Sequence, residues 1–369
     1  MMRVTQSMLA QNSLRHISQS FDRMGNLQDQ LSTGKKITRA SQDPVVAMNG
    51  MRYRTQVTEV EQFQRNSGEV YNWMDSTDSA LDKTTEALQR VRELTTQAAN
   101  DSYEEGQRGN IAEEVSQLFD HIVSMGNTQS NGKYIFNGAN TTNPPIDEDG
   151  FDVGADTLDG AGEDVLSQHQ ITMDGKVYTH AGGDDAVYEN EDGTQIQVLD
   201  ENTVAYTDAE DNIEELDASD VVVSQTDAVS TNQDDVEIEL LKGVTIKANS
   251  RPQNTFNNAL FGDLKELEQK LNDPDTEGED LTGFIDTIDS HINNTVNERA
   301  EVGARLNRVE MIESRLGEQE VTAERIMSEN EDADMEKVIT DLMSQENVHQ
   351  AALSSGARII QPTLMDFLR

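Results

Sequence analysis

The chain has 369 residues, only 35% of them hydrophobic and 5% aromatic, with 70 Asp and Glu against 28 Lys and Arg and a formal net charge of −42. So little apolar content argues against one compact core and suits elongated helices with narrow apolar stripes. So much negative charge repels phosphate backbones, which argues against nucleic acid as a partner.

The first element is a helix over 1–33. In "NSLRHISQSFDRMGNLQDQL" Leu14, Ile17, Phe21, Met24 and Leu31 recur in steps of three and four, with Gln28 as a polar gap. That is a heptad seam. The joint "LSTGKKITRASQDP" (31–44) follows, with Lys35, Lys36 and Arg39 close together. Its Gly-Lys-Lys is not a phosphate-binding loop, because Asp29 stands where the first glycine is needed and Lys36 where Ser or Thr is needed. Gly34 instead reads as the left-handed residue ending the helix, Asp43 as the next N-cap and Pro44 as its first helical residue.

A longer helical pattern fills 44–130. Val60, Val70, Met74, Leu81, Leu88, Val91 and Ala98 hold heptad positions diluted by Ser67, Thr77, Thr84 and Thr95. A break is expected near Gly106–Gly109, then a stripe of Ile111, Val115, Leu118, Ile122 and Met125. Asn131-Gly132 and Asn137-Gly138 flank a short expected strand, Tyr134–Phe136, and Pro144-Pro145 marks a boundary. Residues 151–250 hold 25 Asp or Glu against three Lys, while residues 1–60 hold eight Lys or Arg against four acids. The acidic block contains β-like runs "KVYTH", "TQIQVL", "NTVAYT" and "VEIELLKGVTIKA", with turns at Asp174-Gly175 and Asp192-Gly193. Its charge reads as a solvated exterior that opposes aggregation.

Helical patterns resume with "FGDLKELEQKL" and run nearly unbroken from Ala333 to Ala357. Met335, Val338, Leu342 and Ala352 keep a heptad spacing that Gln345 and His349 interrupt. Ile359, Ile360, Leu364 and Phe367 add an apolar tip that needs a covering partner. The expected fold is mainly α with an inserted β domain, the two helical ends packing together. The divisions are 1–43, 44–145, 146–250, 251–325 and 326–369.

No catalytic constellation and no cofactor site is read. Cysteine is absent, and six scattered histidines start no H-E-x-x-H motif. His16 and His291 sit among polar neighbours and read as solvated; His349 reads as a seam residue. The acidic clusters lack the ligand pattern of an EF-hand. The methionines on helical patterns read as fillers of packing gaps. No apolar run approaches the ~20 residues that cross a bilayer, and the N-terminus lacks the apolar core of a secretory signal.

The stretch "MRVTQSMLAQNSLRHISQSFDRMGNLQDQLSTGKKITRASQDPVVAM" resembles the N-terminus of the flagellin superfamily. "MDSTDSALDKTTEALQRVRELTTQAAND", "IAEEVSQLFDHIVSMGNTQSNGKYIFNGANT" and the tail "ARIIQPTLMDFLR" are similar to the same family. The likeness covers about 2–145 and 255–369. "NGKYIFNG" followed by Thr and Pro, with the insert size, is most like the hook-associated protein 3 subfamily at the hook–filament junction; the alternative is flagellin itself. The resemblance implies a coiled-coil layer of terminal helices, a helical second layer and an outward β-rich insert. It implies an extracellular flagellar protein, exported by the type III apparatus without a cleaved signal peptide and with a chaperone at its C-terminal region. It further implies a homo-oligomeric ring between the first hook-associated protein and flagellin, with no membrane partner and no enzymatic role. The expected subunit interface is Leu14, Ile17, Phe21, Met24, Leu31, Lys35, Lys36, Arg39, Val338, Leu342, Ala352, Ile359, Ile360, Leu364 and Phe367, the elbow cations pairing with acids of a neighbouring subunit. A metalloprotease-bearing flagellin is set aside because the insert has no zinc motif, and a cytosolic coiled-coil adaptor because it would not carry these motifs in this order.

Overall fold

The computed structural model describes residues 6–100, 105–183, 185–190, 192–200, 202–208, 212–274 and 276–360. Helix α1 (Gln6–Thr33) ends at Gly34, whose φ of 68° turns its N–H back to Gln30 O at 2.8 Å. Asp43 caps α2 (Pro44–Ala98), its carboxylate accepting from the N–H groups of Val45 and Val46 at 3.0 and 3.1 Å. Helix α3 (Glu105–Gly126) includes Gly106 and Gly109, so the break expected at these glycines falls before them. Strands β1 (Gln129–Ser130) and β2 (Lys133–Tyr134) pair across Asn131-Gly132, both at positive φ, as the turn signal predicts. The expected strand through Phe136 is cut short. Ile135 and Phe136 leave the ladder and are buried, the Phe136 ring lying edge-on to Phe256 at 4.9 Å.

The single turn α4 (Glu163–Leu166) leads into a sheet. Its strands are β3 (His169–Met173), β4 (Lys176–His180), β5 (Val187–Glu189), β6 (Gln195–Asp200), β7 (Thr203–Thr207), β8 (Ile213–Asp217) and β9 (Val222–Gln225). The seven strands are antiparallel in the order β8-β7-β6-β5-β4-β3-β9. β10 (Glu237–Leu241) and β11 (Val244–Lys247) form a separate hairpin. After the turn α5 (Pro252–Thr255) come α6 (Asn258–Asn272), α7 (Thr282–Glu331) and α8 (Met335–Ile360). The chain divides into two compact units, 1–64 with 314–369 and 65–313.

In the second unit the α2 heptad behaves as predicted. Val70, Met74, Leu81, Leu88, Val91 and Ala98 are buried. So are Thr77, Thr84 and Thr95, whose hydroxyls donate to the carbonyl four residues back and so are not left unpaired. α3 meets α6 through Phe119 and Phe261, rings 5.5 Å apart, and Phe151 adds a third ring 4.8 Å from Phe261. α6 also lies on the sheet, so closely that a Cβ at Gly262 would collide with Thr172. The sheet has its own apolar cluster, including Ile171, Tyr178, Tyr188, Ile196, Val204 and Val223.

Buried titratable groups of this unit include His291, Asp263 and Glu266. His291, expected to be solvated, is buried and shares a 2.6 Å hydrogen bond with buried Asp263. Its polar sequence neighbours point to the other sides of α7. Glu266 is fully buried and accepts the Asp174 N–H on both carboxylate oxygens, at 2.9 and 3.0 Å, tying α6 to the β3–β4 turn. Burial pushes Glu266 well above its ordinary 4.5 and raises Asp263 against the opposing hydrogen bond from His291. A carboxyl whose folded pKa is raised binds its proton more tightly in the folded state. Stability therefore falls as pH rises from the ordinary carboxylate value through the folded one. The chain is expected to melt at a higher temperature at pH 5 than at pH 7, and Glu266→Gln is expected to shrink that difference. An unchanged pH dependence in the variant would exclude Glu266 as its source.

Candidate assembly interface

In the first unit α1 and α8 run antiparallel. Val338, Leu342, Gln345, His349, Ala352 and Gly356 follow one another in steps of four and three and are all at least half-buried. Gln345 and His349 are thus members of the α8 seam, not interruptions of it. On α1 the buried register is Ile17, Ser20, Met24, Leu27 and Leu31. Of the expected heptad seam, Ile17, Met24 and Leu31 are at least half-buried in the single chain, whereas Leu14 and Phe21 are 56% and 61% exposed there.

Small residues decide this. The helix has two candidate flanks beside Ile17, Met24 and Leu31: the apolar one with Leu14 and Phe21, and one with Ser13, Ser20 and Leu27. The serine flank faces α8. Gln345 Nε2 donates to Ser20 Oγ at 2.9 Å, and Ile17 Cδ1 comes so near Gly356 that an added Cβ would stand 3.3 Å away. Phe21 only leans on His349, ring centroids 6.2 Å apart. Ile359 and Ile360 lie at the end of the α8 backbone with side chains outside the described set, and Leu364 and Phe367 lie outside the described residues.

The pair leaves a second stripe uncovered in the single chain. Leu14, Phe21, Ile339, Met343 and Leu353 are 43–62% exposed. This much apolar surface on two adjoining helices is what an interaction face looks like.

The elbow between α1 and α2 is held by the segment between α7 and α8. Lys35 and Asp332 form an antiparallel bridge, with Lys36 N–H on Glu331 O at 2.6 Å and Ala333 N–H on Gly34 O at 2.8 Å. The Gly34 and Lys36 amides are therefore spent on the chain itself, which removes the phosphate-cradle reading on geometry as well. Glu331 sits at the centre, 6% exposed. Arg54 reaches its carboxylate at 2.6 Å and Lys35 at 3.5 Å, while Lys35 also reaches Asp332 at 2.7 Å. The Arg54 hydrogen bond, then Lys35, holds the Glu331 carboxyl below the usual carboxylate range. Gly50 makes the room, since a Cβ there would stand 2.7 Å from Glu331 Oε1.

The expected pairing of elbow cations with a neighbour's acids is thus corrected for Lys35, whose charge is engaged within its own chain. Lys36 Nζ donates to the Glu329 carbonyl. Arg39 is exposed and has no carboxylate partner among the described residues. Sequence reasoning missed Glu331, Arg54 and Gly50, because contacts spanning 277 residues leave no local signal. Among the described residues no helix is long and apolar enough to cross a membrane, and no cluster of His, Cys, Asp and Glu could hold a metal ion.

Comparison with known proteins fits this arrangement of paired terminal helices. The bacterial flagellin N-terminal helical region matches residues 4–141, and the C-terminal helical region matches residues 285–368. Polar flagellin A of Vibrio parahaemolyticus is 25% identical, aligned over 96% of this chain and 95% of its own. Flagellar hook-associated protein 3 of Escherichia coli is 23% identical over 95% of each chain. A solved structure from Vibrio parahaemolyticus, described as flagellar hook-associated, shares the fold with a TM-score of 0.54 at 16% identity, covering 79% of this chain and all of that one. With both terminal regions matched in order over more than half of its length, the chain belongs to the flagellin family.

Proposed function

We propose that this chain is a structural subunit of the bacterial flagellum that joins the hook to the filament by self-assembly, acting through contact rather than catalysis. The observation that carries the reading is the uncovered stripe on α1 and α8, from Leu14 and Phe21 to Met343 and Leu353. A helix pair with one seam closed within the chain and a second apolar face left open is complete only among copies. The subunit interface then consists of this stripe, the elbow at Arg39 and the apolar residues Ile359, Ile360, Leu364 and Phe367, while Ile17, Met24, Leu31, Val338, Leu342 and Ala352 support it from within. In this reading the copies form a ring that meets the first hook-associated protein on one side and flagellin on the other. An export chaperone covers the C-terminal region before assembly, and the protein reaches the flagellum without a cleaved signal peptide.

The second reading is flagellin, the filament subunit, which the 25% identical relative favours. The "NGKYIFNG" stretch with its following Thr and Pro, and the fold shared with a hook-associated protein, favour the junction. Deleting the gene separates the two. Loss of a junction subunit leaves finished hooks without filaments and flagellin free in the medium. Loss of the filament subunit leaves no flagellin there.

A further inference from the structure

Beside the Glu331 cluster the elbow encloses a short groove. Ile37, Val46, Ala47 and Met51 supply apolar walls, and Arg39 and Arg54 stand on its rim. Val45, Met48 and Met51 extend the apolar surface along α2, 61–65% exposed. Arg54 is engaged by Glu331, which leaves Arg39 as the rim cation without a carboxylate partner among the described residues. A complementary occupant has apolar side chains on both sides of one acid. It is also a narrow single segment, since the groove is about one helical turn and a loop long.

Such a segment follows α8. Residues 364–368 read Leu-Met-Asp-Phe-Leu, with Asp366 between apolar pairs. It cannot come from the same copy. α8 starts beside the elbow, where Ala333 N–H meets Gly34 O, and its 26 residues carry the chain away. At 1.5 Å per residue that is about 38 Å. Phe367 lies seven residues past Ile360 and can return at most about 25 Å even if fully extended. It falls roughly 13 Å short of its own elbow on these dimensions.

We propose that residues 364–368 of one copy dock in the elbow groove of a second copy, Asp366 pairing with Arg39 and Phe367 entering between Ala47 and Met51. This rests on the assembly reading and adds its direction. Tail into elbow joins two different surfaces, so the contact does not close within a pair and propagates from copy to copy.

The test uses the full chain and a fluorescent peptide of residues 361–369. Saturable binding is expected, weakened about tenfold or more by Arg39→Glu and lost in Ala47→Leu, which fills the groove. A peptide carrying Asp366→Arg is expected to prefer the Arg39→Glu chain over the unaltered one. Absence of saturation up to about 1 mM chain, or binding indifferent to both substitutions, overturns the proposal. Because the chain has no cysteine, a single pair can be placed at chosen sites: Ala40→Cys with Arg369→Cys in one chain, which leaves Phe367 in place, is expected to give disulfide-linked oligomers on oxidation. Internally closed monomers would overturn docking between copies. Failure of the peptide beside the junction phenotype on gene deletion would sink tail docking alone. Binding without that phenotype would keep the contact and sink the junction role.

Discussion

Phe261→Ala is expected to cost the second unit about 3–5 kcal/mol, the range for removing a fully buried phenylalanine. Phe261 is 0% exposed and touches two rings, Phe119 of α3 at 5.5 Å and Phe151 at 4.8 Å. The cavity would open where α6, α3 and the approach to the sheet converge, and close-packed neighbours collapse only partly into such a space. For a unit of this size the melting temperature should fall by roughly 6–20 °C. Phe261→Leu should lose much less, because it keeps most of the volume. Calorimetry of the full chain checks both, and an alanine variant that melts with the parent would show that the three rings do not hold the unit together.

Ile17→Asp is expected to abolish assembly. Ile17 packs against Gly356 in the α1–α8 seam, and an unpaired carboxylate there costs several kcal/mol. A two-helix pair has little stability to spare. Leu342→Asp, from the opposite side of the seam, should act alike. The second unit should melt unchanged in both. Phe21→Asp makes the informative contrast: Phe21 is 61% exposed, so the helix pair of the single chain should survive while self-association is lost. Sedimentation gives the oligomeric state, circular dichroism the helicity, and swimming of a complemented deletion strain the function. Normal swimming by all three variants would remove the terminal helices from the assembly argument.

Much of this was legible because the signals are local. Gly34 after a heptad helix and Asp43-Pro44 before the next each act within four residues, and both ends form as read. Short β-like runs marked β4, β6, β7 and the β10–β11 hairpin, and Asp174-Gly175 and Asp192-Gly193 marked the turns before β4 and β6. β3 was not legible: "HQITM" is buried on both faces, so its polar residues break the alternation that a half-exposed strand would show. β8, "IEELD", carries three acids and little β-propensity, and its place on the sheet comes from pairing with β7. The α1 seam was half legible. Counting apolar residues selects Leu14 and Phe21, but close helix approach selects the small serines, and only a partner helix reveals that preference. The Glu331 centre was not legible at all, because its three participants come from distant segments.

The order of the sheet has a practical consequence for anyone wishing to carry foreign peptide on this chain. β3 to β8 are added one hairpin at a time, and β9 returns to pair with β3, so the polypeptide enters and leaves the sheet at the same side. The β7–β8 hairpin hangs at the opposite margin, bonded within the sheet through β6 alone, and Glu214, Glu215 and Asp217 line its free strand. An epitope spliced between Thr207 and Ile213 would lengthen one marginal loop and leave the β3–β9 closure and the terminal helices untouched. The carboxylates along β8 would meanwhile keep displayed copies from zipping together edge to edge.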